Sequence, residues 1–353
     1  MATVETHIRR VPFSDIDLKD SFFDTLRGDY EGFDAWFNRK ANEGQSAYVQ
    51  YSSNNKLQAF LYTKEENGVV EDVIPQLHDA KRLKVGTFKI DAHHTKLGEY
   101  FIRLIVNEAI AIKAKEIYLT VFPKWEQLVS LIEEYGFTYH GKKGGEDVYL
   151  KSMTALRNDP VKDFPMIQTV GRSKYLLAIY PIFHTPLFPD SILCNERKQG
   201  STLIQDVSYT NSIHKVYVCK IPQAMELKRN DIITIYRTSD HQGPAALRSV
   251  ITSLCIVEEV RGYANFASIH EYKSYANTYS VFDEETLSKF YNPNLVVIKM
   301  TYNAPLHKRI TRQTLIEEVG LPEGERWSLL SLTDKQFNDF ISLGGVDEGI
   351  VIH

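Results

Sequence analysis

The run His93-His94-Thr95-Lys96-Leu97-Gly98-Glu99-Tyr100 lies at the centre of the stretch that decides the fold of the first half of the chain. Val85–Ile90 precedes it and alternates as a strand does, while Phe101–Ile110 follows it with the period of an amphipathic helix. Glu116–Val121 is again strand-like. These elements form a βαβ unit, and the first amide groups of its helix are unpaired and suited to an anion. The sequence therefore predicts an anion site beside Gly98, although a single glycine is no dinucleotide or P-loop fingerprint.

The segments around this unit predict a mixed α+β fold. Residues 14–42 carry aromatic side chains at helical intervals, and the polar stretch 64–79 is predicted to be a loop. Another helix is expected to begin near Pro123, because proline is favoured in a first helical turn. The resulting order differs from the strict alternation of a doubly wound nucleotide-binding fold. The remaining strands are predicted at His7–Phe13, Ser46–Gln50, Leu57–Thr63 and Glu146–Ser152.

This order, with Tyr135-Gly136-Phe137 closing the helix after the second strand of the βαβ unit, resembles the GCN5-related N-acetyltransferase (GNAT) fold over about residues 8 to 151. In that family a loop of the form Gln/Arg-x-x-Gly-x-Gly/Ala holds the pyrophosphate of acetyl-CoA. Gly98 stands at the last glycine of that pattern, Lys96 at its first glycine and His93 at its Gln/Arg. The resemblance implies pyrophosphate contacts at Thr95, Lys96, Leu97, Gly98, Glu99 and Tyr100, and pantetheine contacts at Lys89, Ile90 and Asp91.

Catalytic residues are expected on the helix that begins near Pro123. In the GNAT family a Tyr about four residues before Gly-Phe often protonates the CoA thiolate, and Ile132 occupies that position here. Glu126, close to the helix N-terminus, is the candidate general base for an incoming amine. The alternative, which is commoner, is a first-turn carboxylate that only stabilises the helix dipole. His93 and His94 are adjacent and would point to opposite faces of a strand, so no metal site is predicted.

Composition places the chain among soluble globular proteins large enough for two domains: it has 353 residues, of which 43% are hydrophobic and 24% charged. The halves on either side of Ser152 carry 20 Lys+Arg against 23 Asp+Glu and 21 against 22, which argues against a broad nucleic-acid surface. The three cysteines have no metal or disulfide spacing. No signal-like start or membrane-length apolar run is present, so a cytoplasmic protein without membrane contact is expected.

The second half is β-rich with a different rhythm. We predict a first domain over residues 1–152, a connecting segment over 153–172 and a second domain over 173–353. Helices are expected over Asp283–Phe290, capped by Asp283, and from Thr333, which forms a capping box with Gln336. A further helix is expected over Thr311–Glu318.

The turn Leu227-Lys228-Arg229-Asn230-Asp231, between two strand-like runs, is similar to the Leu-Lys-x-Gly-Asp pattern of the PUA-like superfamily, to which ASCH and EVE domains belong. Asn230 replaces the glycine but still permits a left-handed backbone. The resemblance covers about residues 173 to 300 and implies a β-barrel that reads RNA or modified bases. Tyr236 would stack on a base and Arg237 would hold a phosphate, and ordinary barrel packing is the alternative for each residue. The candidate nucleic-acid-binding residues are Asn211, Ser212, Lys215, Tyr236 and Arg237.

Together these resemblances imply an acetyl-CoA-dependent N-acetyltransferase with an appended RNA-recognition domain. One alternative is a catalytically inactive GNAT-like protein whose PUA-like domain reads modified nucleic acid as a regulator or defence component. Another is a rigid scaffold for a protein partner. The sequence leaves open the acceptor, the oligomeric state and the pathway.

Overall fold

The computed structural model describes residues 8–52, 54–91, 96–189 and 212–353. The chain divides into two compact units, with a boundary between Thr154 and Ala155. Each unit combines helices with a mixed sheet, which confirms the predicted α+β class. None of the helices in the described ranges is both long and apolar enough to span a membrane.

The first unit is built on a seven-stranded sheet in the order β1-β2-β3-β4-β5-β7-β6. Only β4 and β5 are parallel, and every other neighbouring pair is antiparallel. The strands are β1 Arg9–Pro12, β2 Ser46–Tyr51, β3 Leu57–Val70, β4 Leu77–Ile90, β5 Glu116–Val121, β6 Thr138–Lys143 and β7 Glu146–Ser152. The helices are α1 Asp24–Asp29, α2 Phe33–Asn42, α3 Leu97–Ala111 and α4 Glu126–Glu134.

The hairpin of β3 and β4 corrects the loop predicted over residues 64–79. β3 continues to Val70 and β4 begins at Leu77, so most of this polar stretch is strand. Its stability comes from cross-strand charge pairs such as Lys81 with Glu65, whose Nζ and Oε1 are 3.0 Å apart. The half-exposed hairpin buries few side chains, and the apolar alternation that reveals a strand is therefore weak here.

An aromatic core holds α2, and the residue that precedes α1, against the sheet. Phe60 of β3 lies at its centre, with ring centroids 5.6 Å from Phe13, 5.4 Å from Phe23 and 6.2 Å from Phe37. All four rings are buried. Since full burial of one such side chain stabilises a fold by about 1.5–3 kcal/mol, this cluster accounts for the helical aromatic spacing seen in the sequence.

The second unit is built on a six-stranded sheet in the order β10-β13-β12-β11-β9-β14, together with a short parallel pair of β8 and β15. Its strands are β8 Ile167–Gln168, β9 Lys174–Ile179, β10 His214–Cys219, β11 Ile232–Arg237, β12 Val250–Gly262, β13 Val296–Thr311, β14 Leu329–Leu332 and β15 Val351–Ile352. Its helices are α5 Pro181–Leu187, α6 Ala245–Arg248, α7 Ile269–Asn277, α8 Glu284–Phe290, α9 Arg312–Glu317 and α10 Asp334–Gly344.

The closed barrel expected for this unit is not seen in the described residues. A barrel requires the two edge strands of the sheet to pair, whereas β10 and β14 stand at opposite ends of an open order. The predicted turn is nevertheless present: Asn230 has a φ of 74°, and Asp231 Oδ2 accepts a 2.8 Å bond from the amide of Lys228.

Local helix signals in this half are confirmed by the structure. The carboxylate of Asp283 accepts a 2.7 Å bond from the amide of Thr286 and caps α8. Thr333 and Gln336 form the reciprocal capping box that starts α10. These motifs depend on contacts within four residues, so they can be read from sequence.

The segment expected to connect the domains belongs to the second unit from Ala155 onward. β8 pairs with β15 near the end of the chain, and Phe164 and Met166 are buried. Asp163 accepts backbone bonds from Arg157 and Asp159, at 2.7 and 3.1 Å. The segment is therefore packed against the second unit.

Candidate active site

The parallel strands β4 and β5 pair over only four residues before they part. Arg82–Val85 of β4 pairs with Glu116–Leu119 of β5, and no pairing continues beyond. β4 remains paired with β3 as far as Ile90, and β5 with β7 as far as Val121. The edge of β4 over Gly86–Ile90 that faces β5 thus lacks a strand partner among the described residues. Its backbone amides and carbonyls are available to an extended ligand.

The N-terminus of α3 lies beside this opening, because the rings of Phe88 in β4 and Phe101 in α3 are 5.8 Å apart. α3 begins at Leu97, and its first amides have no intrahelical acceptor. A Cβ added to Gly98 would come 2.8 Å from Leu131 Cδ2 of α4, so the glycine allows the two helices to approach closely. The helix terminus on which the predicted anion site depends is therefore present, and it packs against α4.

Charged side chains in the first turn of α3 are paired. Lys96 Nζ lies 3.2 Å from Glu99 Oε1, and the Glu99 side chain is 8% exposed. The guanidinium carbon of Arg103 sits 4.7 Å from the centre of the Tyr100 ring. Leu97 is buried, so only its backbone can meet a ligand. Thr95, His93 and His94 lie outside the described residues.

The residues predicted to hold the pantetheine arm end β4. Lys89 Nζ donates a 2.7 Å hydrogen bond to Thr25 Oγ1 and a second hydrogen bond to the carbonyl oxygen of Phe22. The same nitrogen lies 3.3 Å from Asp91 Oδ2. Ile90 is half-buried. Because the Lys89 side chain is engaged with the start of α1, its contribution to a ligand would come from its backbone.

The structure places Glu126 in the first turn of α4 with its side chain exposed. No hydrogen bond or ion pair joins its carboxylate to another described residue. Ile132, at the position where the GNAT family often has a tyrosine, is buried. Neither observation assigns a catalytic role to Glu126.

Sequence reasoning missed a cluster at the carboxyl end of β5. Tyr30, between α1 and α2, donates a 2.5 Å hydrogen bond to Glu146 Oε1 at the start of β7. Its ring lies 5.3 Å from that of Phe122, just after β5. Burial and the Glu146 carboxylate raise the pKa of the Tyr30 phenol far above its ordinary value. The 116 residues that separate Tyr30 from Glu146 leave no local signal of this contact.

The candidate nucleic-acid residues are buried and do not form one surface. Ser212 and Lys215 lie at β10, whereas Tyr236 and Arg237 lie on β11, with β13 and β12 between these strands. Asn211 lies outside the described residues. Tyr236 and Arg237 are buried in this conformation, and their roles in nucleic-acid binding stay predictions.

Packing explains why those two side chains are unavailable. The Tyr236 ring lies 5.2 Å from that of Trp327. The guanidinium of Arg312 lies 3.8 Å from the centre of the Trp327 ring. Arg237 donates a 3.2 Å bond to the carbonyl of Arg248 and pairs with Asp240 at 3.7 Å. A base or phosphate cannot reach either side chain without local rearrangement.

Comparisons with known proteins give distant structural likeness only. No family model and no curated protein matches the sequence. A mutant of the protein ZmASCH from Zymomonas mobilis is similar at 12% identity, over 49% of this chain and 96% of that one, with a TM-score of 0.33. A GNAT-family acetyltransferase from Listeria monocytogenes is similar at 17% identity, over 43% and 98%, with a TM-score of 0.32.

The PaiA N-acetyltransferase from Thermoplasma acidophilum, solved with coenzyme A, is similar at 14% identity, over 42% and 99%, with a TM-score of 0.30. Sequence identities and TM-scores this low assign no roles to individual residues of this chain. In the described ranges, no group of three or more His, Cys, Asp or Glu side chains is arranged to hold a metal ion.

Proposed function

We propose that the first unit is an N-acetyltransferase that uses acetyl-CoA. The observation that carries the proposal is the parting of β4 from β5, which leaves Gly86–Ile90 with an unpaired backbone edge. The pantetheine arm of CoA is an extended chain with two amide groups, so it can pair with such an edge as a strand would. The N-terminus of α3, beside the same opening, suits the pyrophosphate.

In this proposal the two ends of the cofactor meet different parts of the chain. The pyrophosphate contacts backbone amides of the loop and helix start over Thr95–Tyr100, while the pantetheine arm pairs with Lys89, Ile90 and Asp91. The thioester then lies near the end of β5. An acceptor amine attacks the thioester carbonyl, the carbon–sulfur bond breaks, and CoA leaves as a thiolate that takes up a proton. The attacking nitrogen loses a proton to a base.

Glu126 is our proposed base, because its exposed carboxylate lies in the first turn of α4, where an incoming amine can reach it. Ile132 cannot protonate the thiolate, so water or another group must do so. Orientation of the two reactants would then supply much of the rate enhancement. The lack of a proton-donating tyrosine at position 132 also favours the second candidate function, a CoA-binding protein without catalysis.

For the second unit we propose recognition of RNA or modified nucleic acid. The support is the Leu227–Asp231 turn, whose Asn230 adopts the left-handed conformation that the PUA-like pattern requires. Since Tyr236 and Arg237 are buried, recognition by them would require local opening. Fluorescence anisotropy with labelled single-stranded and duplex RNA tests this part, and absence of binding at micromolar protein would contradict it.

The acetyl-CoA proposal is tested by calorimetry with acetyl-CoA and CoA on the full chain. Lys96→Glu should weaken binding, because it places a carboxylate beside the pyrophosphate. Lys113→Glu, which makes the same charge change just after the opposite end of α3, should leave affinity unchanged. Absence of binding by the wild-type protein at millimolar ligand would remove the proposal.

Turnover is measured as CoA release with a peptide pool and an RNA pool. Glu126→Gln should lower turnover by about 100-fold or more with acetyl-CoA affinity retained. Full turnover in Glu126→Gln would contradict the base assignment alone. Wild-type protein that binds CoA but releases none with either pool would favour the function without catalysis.

A further inference from the structure

The last residue of α1, Asp29, holds a carboxylate that is almost completely shielded from solvent. Its side chain is 7% exposed. Oδ2 accepts a 2.9 Å hydrogen bond from the indole Nε1 of Trp125, and Oδ1 accepts one from the ammonium of Lys124. A negative charge at the C-terminal end of a helix is opposed by the helix dipole, and shielding from water raises the cost further. Asp29 therefore needs a cation.

The cation that sits there is bound by aromatic rings as well as by the carboxylate. Lys124 Nζ lies 5.6 Å from the ring centre of Phe122 and 5.1 Å from that of Trp125. Both distances are within the range of a cation–π interaction. A shielded carboxylate flanked by two aromatic faces is a binding site for an ammonium group, and the chain's own lysine demonstrates the fit.

The side chain of Lys124 is exposed to solvent, whereas the carboxylate of Asp29 that it binds is shielded. Its side chain is 57% exposed, in contrast to 7% for Asp29. Here the site is formed by the carboxylate and the rings, and its occupant enters from the solvent side, where a second ammonium could replace it.

The site lies at the end of the β4–β5 opening. Phe122 directly follows β5, and its ring contacts Tyr30, which is hydrogen-bonded to Glu146. α1 reaches the other side of the opening through the bonds of Lys89 to Phe22 and Thr25. An ammonium bound at Asp29 is thus held close to the strand ends that flank the proposed thioester.

We propose that Asp29, Phe122 and Trp125 bind the ammonium group of the acceptor, and that Lys124 occupies this site until the acceptor displaces it. This inference rests on the proposed acetyltransferase function and names its substrate class. The acceptor is a cationic primary amine, as in a lysine side chain or a polyamine. Its bound ammonium gives one proton to the proposed base, Glu126, before the neutral nitrogen attacks the thioester carbonyl; the nitrogen loses a second proton as the carbon–sulfur bond breaks, and the departing thiolate takes up a proton. The exocyclic amines of nucleic-acid bases are neutral and would not compete with Lys124.

The test measures amine binding without acetyl-CoA, by calorimetry on the full chain at pH 7. The probes are Nα-acetyl-lysine amide and spermidine, with Nα-acetyl-norleucine amide as the analogue that lacks the amine. Lys124→Met empties the site and should tighten binding of the lysine probe at least about tenfold, because a tethered competitor is removed. Adding Asp29→Asn to Lys124→Met should abolish that binding. Preference for spermidine would identify a polyamine as the acceptor.

Lys115→Met is the matched control, since it removes an exposed lysine just before β5, at the far end of the strand. It should bind the probes as the wild type does. Lys124→Gln provides a second vacated site if circular dichroism shows that Lys124→Met is unfolded. Equal affinity in the wild type and the vacated variants, or binding that survives Asp29→Asn, would overturn the inference.

These outcomes separate the inference from the function on which it rests. Amine binding that follows the predicted pattern in a protein that does not bind acetyl-CoA would remove the acetyltransferase proposal and keep the ammonium site. If the protein binds acetyl-CoA but Lys124→Met and Lys124→Gln bind amines no more tightly than the wild type, the enzyme proposal remains intact. The Asp29–Lys124 pair then only holds the segment between β5 and α4 in place.

Discussion

His184 shows how one residue can couple the second unit to pH. None of its surface is exposed, and its Nε2 is 2.8 Å from Thr252 Oγ1 in a hydrogen bond. Nδ1 has no hydrogen-bond partner among the described residues. Burial, reinforced by the nearby Arg237 and Arg309, lowers the pKa of His184 to about 3. The ring is therefore neutral in the folded protein over most of the accessible pH range.

Acid should destabilise the protein through this residue. A folded pKa of about 3 lies below the ordinary value of 6.5, so the unfolded chain binds the proton first. The stabilisation is complete above pH 6.5 and is lost as the pH falls toward 3, by up to about 1.4 kcal/mol per pH unit. Urea titrations between pH 7.5 and 4.5 should show a steeper loss in the wild type than in His184→Gln. Parallel pH curves for the two proteins would contradict the assignment.

At the scale of elements, the features that depend on residues close in sequence could be predicted, and those that depend on distant residues could not. The cap of α8 by Asp283 and the left-handed Asn230 depend on neighbours in sequence, and both were predicted. α3 begins at Leu97, four residues before the predicted start at Phe101. The β3–β4 hairpin was missed because its polar face shows little alternation. The Tyr30–Glu146 contact and the burial of Tyr236 under Trp327 are set by tertiary packing, which no local pattern encodes.

The close approach of α3 and α4 at Gly98 can be tested as an interaction between two residues. In Gly98→Ala the new Cβ would lie 2.8 Å from Leu131 Cδ2, the tip of a half-buried side chain that can turn aside, so the free energy of unfolding should fall by about 1 kcal/mol, the low end of the cost of overpacking. The gain in helix propensity of at most about 1 kcal/mol offsets part of this loss. Adding Leu131→Ala should cost less in the Gly98→Ala protein than in the wild type. Additive urea-denaturation energies would show that the contact is unimportant.

At the scale of the whole molecule, the boundary between the units lies next to a segment fastened by one carboxylate. Asp163 accepts the amides of Arg157 and Asp159 and is itself buried. Residues 155–172, which the sequence marked only by prolines and the loss of periodicity, thereby belong to the second unit. The sequence predicted a connecting segment that could pack on one domain, and residues 155–172 pack within the second unit.

Loosening this segment should expose the boundary to protease. Asp163→Ala removes both acceptors, so trypsin should cleave after Arg157 several times faster than in the wild type. The products would be fragments of about residues 1–157 and 158–353. Asp79→Ala, which removes an exposed carboxylate from β4, is the control and should digest as the wild type does. Equal cleavage rates after Arg157 in all three proteins would show that Asp163 does not hold the segment.

The short helix α1 has a mechanical consequence. Lys89 of β4 holds the residues at its start, and the indole of Trp125, beyond β5, holds Asp29 at its end. Six helical residues span about 9 Å, and a helix resists both stretching and compression. α1 therefore links the two strands as a rigid spacer. Its length limits how far β4 and β5 can separate, whatever side chains lie between them.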